Sequence, residues 1–223
     1  MNIIGILSSP KGKKSATLGL VEAAIDGSRQ AGAETELIDI TKLKINYCKG
    51  CVTCYAQGRC PQRDDFQGVY NKVLGADGII LSSPNYIDNV TGQMKTLMDR
   101  MTDAIHAQLF DGKYGLSITT SGGGNDDFVL GLMNSFLTKS GATVIGGVGI
   151  ALGPDSASLP AKKERSRQLG SELANSIRET RSYPEQERLH REFRERFSKT
   201  LKINKDRWPS DYDRWVDRGW IVE

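Results

Sequence analysis

The chain is expected to fold as an α/β protein: a three-layer, doubly wound domain around a five-stranded parallel sheet, followed by a C-terminal helical arm. Three observations predict this. Short apolar runs alternate with helix-period segments over about the first 180 residues. The runs are apolar throughout, as expected of strands that helices cover on both faces. After about Arg181 the composition changes.

The elements follow in order. Ile3–Leu7 is a short buried strand. Ser15–Ala31 is a helix, with Leu18, Val21, Ala24 and Ile25 at helical spacing. Thr35–Ile40 is the second strand, and a cysteine-bearing loop over residues 47–61 comes next. Asp64–Gly75 is helical, with Asp64 or Asp65 as its N-cap. Gly78–Ser82 is the third strand and Thr91–Met101 a helix. Gly115–Thr120 is the fourth strand and Asp126–Ser140 a helix. Thr143–Ala151 is the fifth strand and Pro160–Arg181 the helix that closes the domain, placed at 1–182. In residues 183–223, 10 basic and 9 acidic side chains accompany Trp208, Trp215 and Trp220. Leu189, Phe193, Phe197 and Leu201 recur every four residues, a narrow apolar stripe on a helix. Three solvated tryptophans are uncommon, so the arm is expected to be buried, on its own subunit or on a second one.

The whole chain has 223 residues, 30 of them Lys or Arg and 27 Asp or Glu, for a formal charge of +3. That balance is too weak to imply nucleic-acid binding. The apolar runs fall short of the ~18–20 residues of a membrane span, so no membrane partner is expected. The start, MNIIGILSSPKGKK, enters a strand directly and lacks the regions of a secretory signal. A cytoplasmic location is the expectation. All four cysteines fall within 13 positions, at Cys48, Cys51, Cys54 and Cys60. In a reducing compartment such a cluster points to metal or redox chemistry rather than to structural disulfides.

In a doubly wound sheet, ligands bind beyond the carboxyl ends of the strands. Three loops there carry polar residues. The first, Ser8–Thr17, offers four hydroxyls, three lysines and a helix start, the parts of a phosphate cradle. It matches neither a Walker A loop nor G-x-G-x-x-G. The second is SPNYIDNV, residues 83–90; the third is SGGGND, residues 121–126. Glycines allow close backbone approach to a flat ring, and Tyr86 can meet a ring face. A flexible glycine turn without ligand fits the third loop equally well.

Taken together, SSPKGKKSAT, SPNYIDNVTGQMKTLMDR and TTSGGGND resemble the flavodoxin-like NADPH-dependent FMN reductase family, over about residues 1–180. The resemblance implies a flavodoxin-like fold and a tightly held FMN. It implies that Ser9, Lys11, Ser15, Ala16 and Thr17 hold the phosphate. Pro84, Asn85, Tyr86, Ile87, Asp88, Ser121, Gly122 and Gly123 line the ring on the same analogy. Lys11 stands where many relatives have Arg, which keeps the charge but not a bidentate contact.

The cysteine pattern is C-x2-C-x2-C-x5-C-P. A C-x2-C pair can form a redox disulfide, and four thiolates can hold zinc or one cubane. The run is similar to the ferredoxin pattern C-x2-C-x2-C-x3-C-P. Within the FMN reductase family, KGCVTC…GRC…DDF resembles the iron-sulfur flavoproteins of anaerobes. That resemblance implies one [4Fe-4S] cluster per subunit on Cys48, Cys51, Cys54 and Cys60, together with FMN, in a homodimer or homotetramer. The implied function is an oxidoreductase that passes electrons between a one-electron donor, ferredoxin or another small redox carrier, and an acceptor. Electron transfer needs no acid–base side chain, so no catalytic residue is assigned. If cluster and flavin lie far apart in one subunit, the relay crosses a subunit interface held by the arm. An NAD(P)H-dependent FMN or quinone reductase with structural or redox-active cysteines is the alternative. A non-enzymatic FMN-binding carrier or redox sensor is the third. His106 and His190 are read as structural, and Met94, Met98 and Met101 as core or subunit-contact residues.

Overall fold

A computed structural model describes residues 1–222. Five strands, β1 (Asn2–Leu7), β2 (Glu34–Asp39), β3 (Gly78–Pro84), β4 (Tyr114–Ser121) and β5 (Thr143–Ala151), form one parallel sheet in the order β2-β1-β3-β4-β5. The helices are α1 (Ala16–Gln30), α2 (Thr53–Gln57), α3 (Phe66–Gly75), α4 (Gly92–Arg100), α5 (Thr102–His106), α6 (Asp126–Lys139), α7 (Leu159–Arg178), α8 (Pro184–Asn204) and α9 (Pro209–Asp217).

The strand sequences explain the layers. In β1, Ile3 and Leu7 face one core while Ile4 and Ile6 face the other. In β3, Ile80 joins the first core and Ile79 and Leu81 the second. Alternate side chains of a strand point to opposite faces, so an all-apolar run is what a sheet covered twice requires. The first core is closed by α1 and α7, the second by α3, α4 and α6. α1 and α7 approach closely through glycines: a Cβ on Gly27 would meet the Arg167 carbonyl oxygen at 1.9 Å, and one on Gly170 the Ala24 oxygen at 1.8 Å. Ser28 Oγ donates to the Gly170 carbonyl at 2.9 Å, and Ser171 Oγ to that of Gly27 at 3.0 Å.

β5 lies at a sheet edge, where unpaired amides and carbonyls invite strand addition. The Gln186 side chain, from α8, caps part of it. It accepts from the Val144 amide at 2.8 Å and donates to the Val144 carbonyl at 2.8 Å.

The structure departs from the sequence expectation in three places. The helix expected over Thr91–Met101 ends at Arg100, and the chain turns at Met101 into the separate short helix α5. The cysteine loop contains a helical turn, α2. Asp65 occupies the N-cap position of α3 without a side-chain cap bond. Asp64 accepts from the Phe66 amide at 3.2 Å, but its carboxylate is mainly engaged by Arg100. The arm is two helices, broken before Pro209, a residue suited to the first turn of α9. It packs on its own chain. Phe197, Leu201, Trp215 and Ile221 form a third apolar cluster against Ile105. Arg218 donates to the carbonyls of Ala107 at 3.1 Å and Gln108 at 3.0 Å. Met94 and Met101 are core residues, as read from the sequence.

Candidate functional site

The strand order reverses at β1: β2 lies on one side of it and β3 on the other. The loops after β1 and β3 therefore separate and leave a crevice at the carboxyl edge of the sheet. The loops after β1, β3 and β4 meet there.

The loop after β1 ends at the start of α1. Ser15 is the N-cap and accepts from the Leu18 amide at 3.1 Å. Its own hydroxyl donates to Ser9 Oγ at 2.7 Å, which leaves the Ser9 proton free to donate outward. Ser9 and Thr17 are each 1% exposed. Thr17 Oγ1 is 2.7 Å from Thr120 Oγ1, which ties this loop to β4. Ala16 begins the helix, whose first-turn amides have no acceptor within it. Lys11, Lys13 and Lys14 are exposed around this point. Hydroxyls, first-turn amides and ammonium groups thus gather at one place.

The other two loops are cross-linked. The Asn85 amide donates to the Thr120 carbonyl at 2.8 Å, and Asn85 Nδ2 to that of Gly124 at 3.0 Å. Asn125 Nδ2 donates to Asp88 Oδ1 at 2.8 Å, and the Gly124 amide to Ser121 Oγ at 3.0 Å. Ile87 and Asp88 have φ of 55° and 53°, left-handed values that turn both side chains out of the strand path. A cavity of about 280 Å³ lies between the loops, lined by Asn85, Ile87, Asp88 and residues 121–125. A Cβ at Gly122 or Gly123 would meet nothing within 4 Å, so backbone borders open space there. Asn85 Oδ1 is buried and has no partner in the chain. An acceptor left unpaired in such a place fits a ring with polar N–H groups. Of the residues expected to contact FMN, Ser9, Ser15, Ala16 and Thr17 gather at one end of the crevice. Asn85, Ile87, Asp88, Ser121, Gly122 and Gly123 line the cavity, Pro84 ends β3, and Tyr86 is 44% exposed beside it. Thr120, Gly124 and Asn125 complete the arrangement. Thr120 gave no local signal, because its role depends on a partner 103 positions away.

A second centre lies at the far end of α4. All four cysteines line one cavity of about 40 Å³, with Tyr55, Arg100 and Thr102 among its walls. Cys48 and Cys51 are exposed; Cys54 and Cys60 are partly buried, and all four are unpaired thiols. The Gly50 amide donates to Cys48 Sγ at 3.4 Å and Thr53 Oγ1 to Cys51 Sγ at 3.4 Å. The Arg100 side chain is 1% exposed and organises the inner side. Its Nη1 donates to Asp64 Oδ2 and to the Asn46 carbonyl, each at 2.7 Å. Its Nη2 donates to Asp64 Oδ1 at 3.1 Å and to Cys60 Sγ at 3.2 Å. Burial pushes the Asp64 carboxyl up, but bonds from Arg100 and from the Asn46 and Phe66 amides outweigh it and hold it below its ordinary range. Burial, with Asp103, Asp211 and Cys60 adding to it, pushes the Cys54 thiol up to about 12.

The arm supplies the wall behind this cavity. Tyr55 is 5.0 Å from Trp208 edge-on and 4.8 Å from His106, which stacks on Trp208 at 5.2 Å. Tyr55 Oη is 2.9 Å from Thr102 Oγ1. Arg214 Nη2 donates to the Gly58 carbonyl at 3.2 Å. Burial pulls the His106 pKa down, consistent with a structural role. Among the described residues, no group of three or more His, Cys, Asp or Glu is placed to hold one metal ion. A zinc ion needs its thiolates at about 2.3 Å, whereas a cubane spreads its ligands around a larger body. Four thiols around one cavity are a donor set that either a zinc ion or a cubane accepts.

The model of the family described as NADPH-dependent FMN reductase matches residues 1–156. This chain belongs to that family. An iron-sulfur flavoprotein of Archaeoglobus fulgidus is 37% identical over 224 residues, covering 99% of this chain and 100% of that protein. An iron-sulfur flavoprotein of Methanocaldococcus jannaschii is 33% identical, covering 80% of this chain and 98% of its own length. The chain thus falls in the iron-sulfur flavoprotein subgroup of the FMN reductase family. Solved structures share the fold. The NAD(P)H:quinone oxidoreductase from Methanothermobacter marburgensis has a TM-score of 0.62 at 17% identity, over 78% of this chain and 96% of that one. A flavodoxin from the domain Archaea has a TM-score of 0.54 at 16% identity, over 80% and 99%. As a member of the FMN reductase family the chain is a flavin-dependent oxidoreductase, and FMN is its cofactor. No helix among the described residues is long and apolar enough to cross a membrane.

Proposed function

We propose that the chain carries one [4Fe-4S] cluster beside its FMN and passes electrons between a one-electron donor such as ferredoxin and an acceptor. The observation that carries this reading is the set of four cysteines around one cavity. Cys48, Cys51, Cys54 and Cys60 are its ligands. Arg100 holds Cys60 from behind and places a positive charge beside the thiolates. Ser9, Lys11, Ser15, Ala16 and Thr17 hold the FMN phosphate. Pro84, Asn85, Tyr86, Ile87, Asp88, Ser121, Gly122 and Gly123 frame the ring. Flavin exchanges one or two electrons and a cubane one, so the pair links the two kinds of carrier. The names of the relatives and the spacing of the cysteines support the cluster. The site belongs to a cytoplasmic protein on this reading, and to a homodimer or homotetramer, whose size light scattering measures.

Anaerobic purification followed by iron, sulfide and FMN assay tests the proposal. About four irons and four sulfides per FMN are expected. Flavin bands without iron or iron-sulfur absorption reject the cluster. The chain would then be an NAD(P)H-dependent FMN or quinone reductase, a reading favoured by a 25% identical FMN-dependent NADH:quinone oxidoreductase of Bradyrhizobium diazoefficiens.

A further inference from the structure

One side chain of α7 crosses onto α1 at the crevice end of that helix. Gly19 stands one turn after the Ser15 cap, and its amide donates to the Ser15 carbonyl at 3.2 Å. A Cβ on Gly19 would meet only Lys163 of α7, Cε at 3.1 Å and Nζ at 3.3 Å. A helical Cβ leans toward the helix N-terminus and covers the turn before its own residue. The Lys163 ammonium therefore lies over the turn of α1 that begins at Ser15. Glycine inside a helix costs stability relative to alanine, and here the missing methyl is the room the lysine uses.

Nothing in the chain holds this ammonium. Lys163 is exposed, and it is in no ion pair or hydrogen bond among the described residues. The two acids of α7 are engaged elsewhere, Glu164 with Arg167 at 3.0 Å and Glu172 with Arg165 at 2.8 Å. The first turn of α1 carries no acidic residue, so the positive end of that helix is uncompensated as well. Lys11, the cation expected there from the sequence, is exposed and likewise in no ion pair among the described residues. Two cations from different elements and a bare helix start thus face one place.

We propose that Lys163 is a phosphate-binding residue of the flavin site, brought by α7 across α1 toward the monoester dianion that Ser9, Ser15 and the first-turn amides receive. The inference rests on the phosphate cradle described above and adds a cation from outside its loop. The ammonium lies about one helical turn, roughly 5–8 Å, from the first amides of α1, a range that a flexible four-carbon stem covers. A unit charge so close to a dianion raises affinity severalfold, and salt weakens the effect. The consequence is specificity: the site favours a flavin that carries a phosphate ester over one that lacks it.

The test strips FMN from the purified holoprotein and measures the dissociation constants of FMN and of riboflavin, which lacks the phosphate, at low and high salt. Lys163→Met keeps the stem and removes the charge, Lys163→Arg keeps the charge, and Lys199→Met on the exposed part of α8 controls for net charge. Lys163→Met is expected to bind FMN about 5- to 10-fold more weakly at low salt and to lose less at high salt, with riboflavin within ~2-fold of wild type. Lys163→Arg and Lys199→Met are expected to stay within ~3-fold for both flavins. Equal losses of FMN and riboflavin in Lys163→Met would make the residue a packing element and overturn the proposal. So would an FMN affinity equal to wild type, or the same loss in Lys199→Met. Ser15→Ala separates this proposal from the reading beneath it. If Ser15→Ala weakens FMN more than riboflavin while Lys163→Met weakens neither, the cradle stands and Lys163 is refuted. If neither variant changes the preference for FMN over riboflavin, the cradle falls and the proposal with it.

Discussion

Arg100 is the side chain on which the cysteine cavity most depends. It is buried with Asp64, engages both carboxylate oxygens, and donates from its two terminal nitrogens to Asn46 and Cys60 as well, while its Nε has no partner. Removing one partner of a buried pair leaves an uncompensated charge, which costs about 3–5 kcal/mol. Arg100→Met is expected to lose about that much in urea unfolding, and Arg100→Lys to recover only part of it because an ammonium cannot reproduce the fork. Equal stability of Arg100→Met and wild type would show that the pair does not hold the loop. Asp211 makes the opposite electrostatic case. Its side chain is fully buried and neither carboxylate oxygen has a hydrogen-bond partner. Burial, with Asp103 adding and Arg214 opposing, pushes it up to about 8. An unfolded aspartate titrates near ~3.9. Between these values the folded chain keeps a proton that the unfolded chain has released, so stability falls as pH rises from about 4 to about 8. Asp211→Asn keeps the shape and removes the titration. Its thermal midpoint should exceed the wild type's at pH 8 and decline less between pH 5 and 8; parallel pH profiles would refute the assignment. Asp103, raised for the same reason, leaves some slope behind.

At the scale of elements, the α1–α7 contact is set by two glycines and two serines. A methyl on Gly170 would lie 1.8 Å from a backbone oxygen of α1, which no rotamer change relieves. Gly170→Ala is therefore expected to destabilise by about 3 kcal/mol or more, at the upper end of overpacking costs. Gly68→Ala, on α3 with nothing near its Cβ, is the control and should be neutral or slightly stabilising. Guanidinium unfolding of both checks this. The sheet, its helices and the three crevice loops were legible in the sequence because their signals are local: an apolar run, a four-residue stripe, a glycine triplet. Other features are written across the chain. Arg100 meets Asp64 from 36 positions away, and Arg214 meets Gly58 from 156. No periodicity links such pairs. The helix α4 was expected to stop at Met101, which is its C-cap, but the short helix α5 that follows at once had no local signal of its own. The aromatic arm was visibly due for burial, but composition does not name the surface that buries it.

At the scale of the molecule, α4 separates two sites with different supports. Nine residues at a rise of ~1.5 Å place its ends roughly 13 Å apart. Its N-terminus is anchored at the crevice, where the Thr91 amide donates to Ser83 Oγ at 2.9 Å, and its C-terminus is Arg100 at the cysteines. The crevice loops are held by the sheet, through Thr120 and Ser121, and make no use of the arm. The cysteine cavity is backed by the arm, through Trp208 and Arg214. Trp215 is fully buried at the centre of the arm's own cluster, so Trp215→Ala should cost about 3–5 kcal/mol of local packing. Because that loss falls on α8 and α9, it should loosen the wall behind Tyr55 without touching Ser9, Ser15 or Asn85. The expected outcome is an asymmetric one: iron bound per chain falls after anaerobic purification, while FMN per chain and its dissociation constant stay at wild-type values. Ser15→Ala should do the reverse, weakening FMN retention and sparing iron, since Ser15 caps α1 and bonds Ser9 but contacts nothing on the cysteine side. Parallel loss of iron and flavin in either variant would show that the two sites share one support, and the separation argued from α4 would fall.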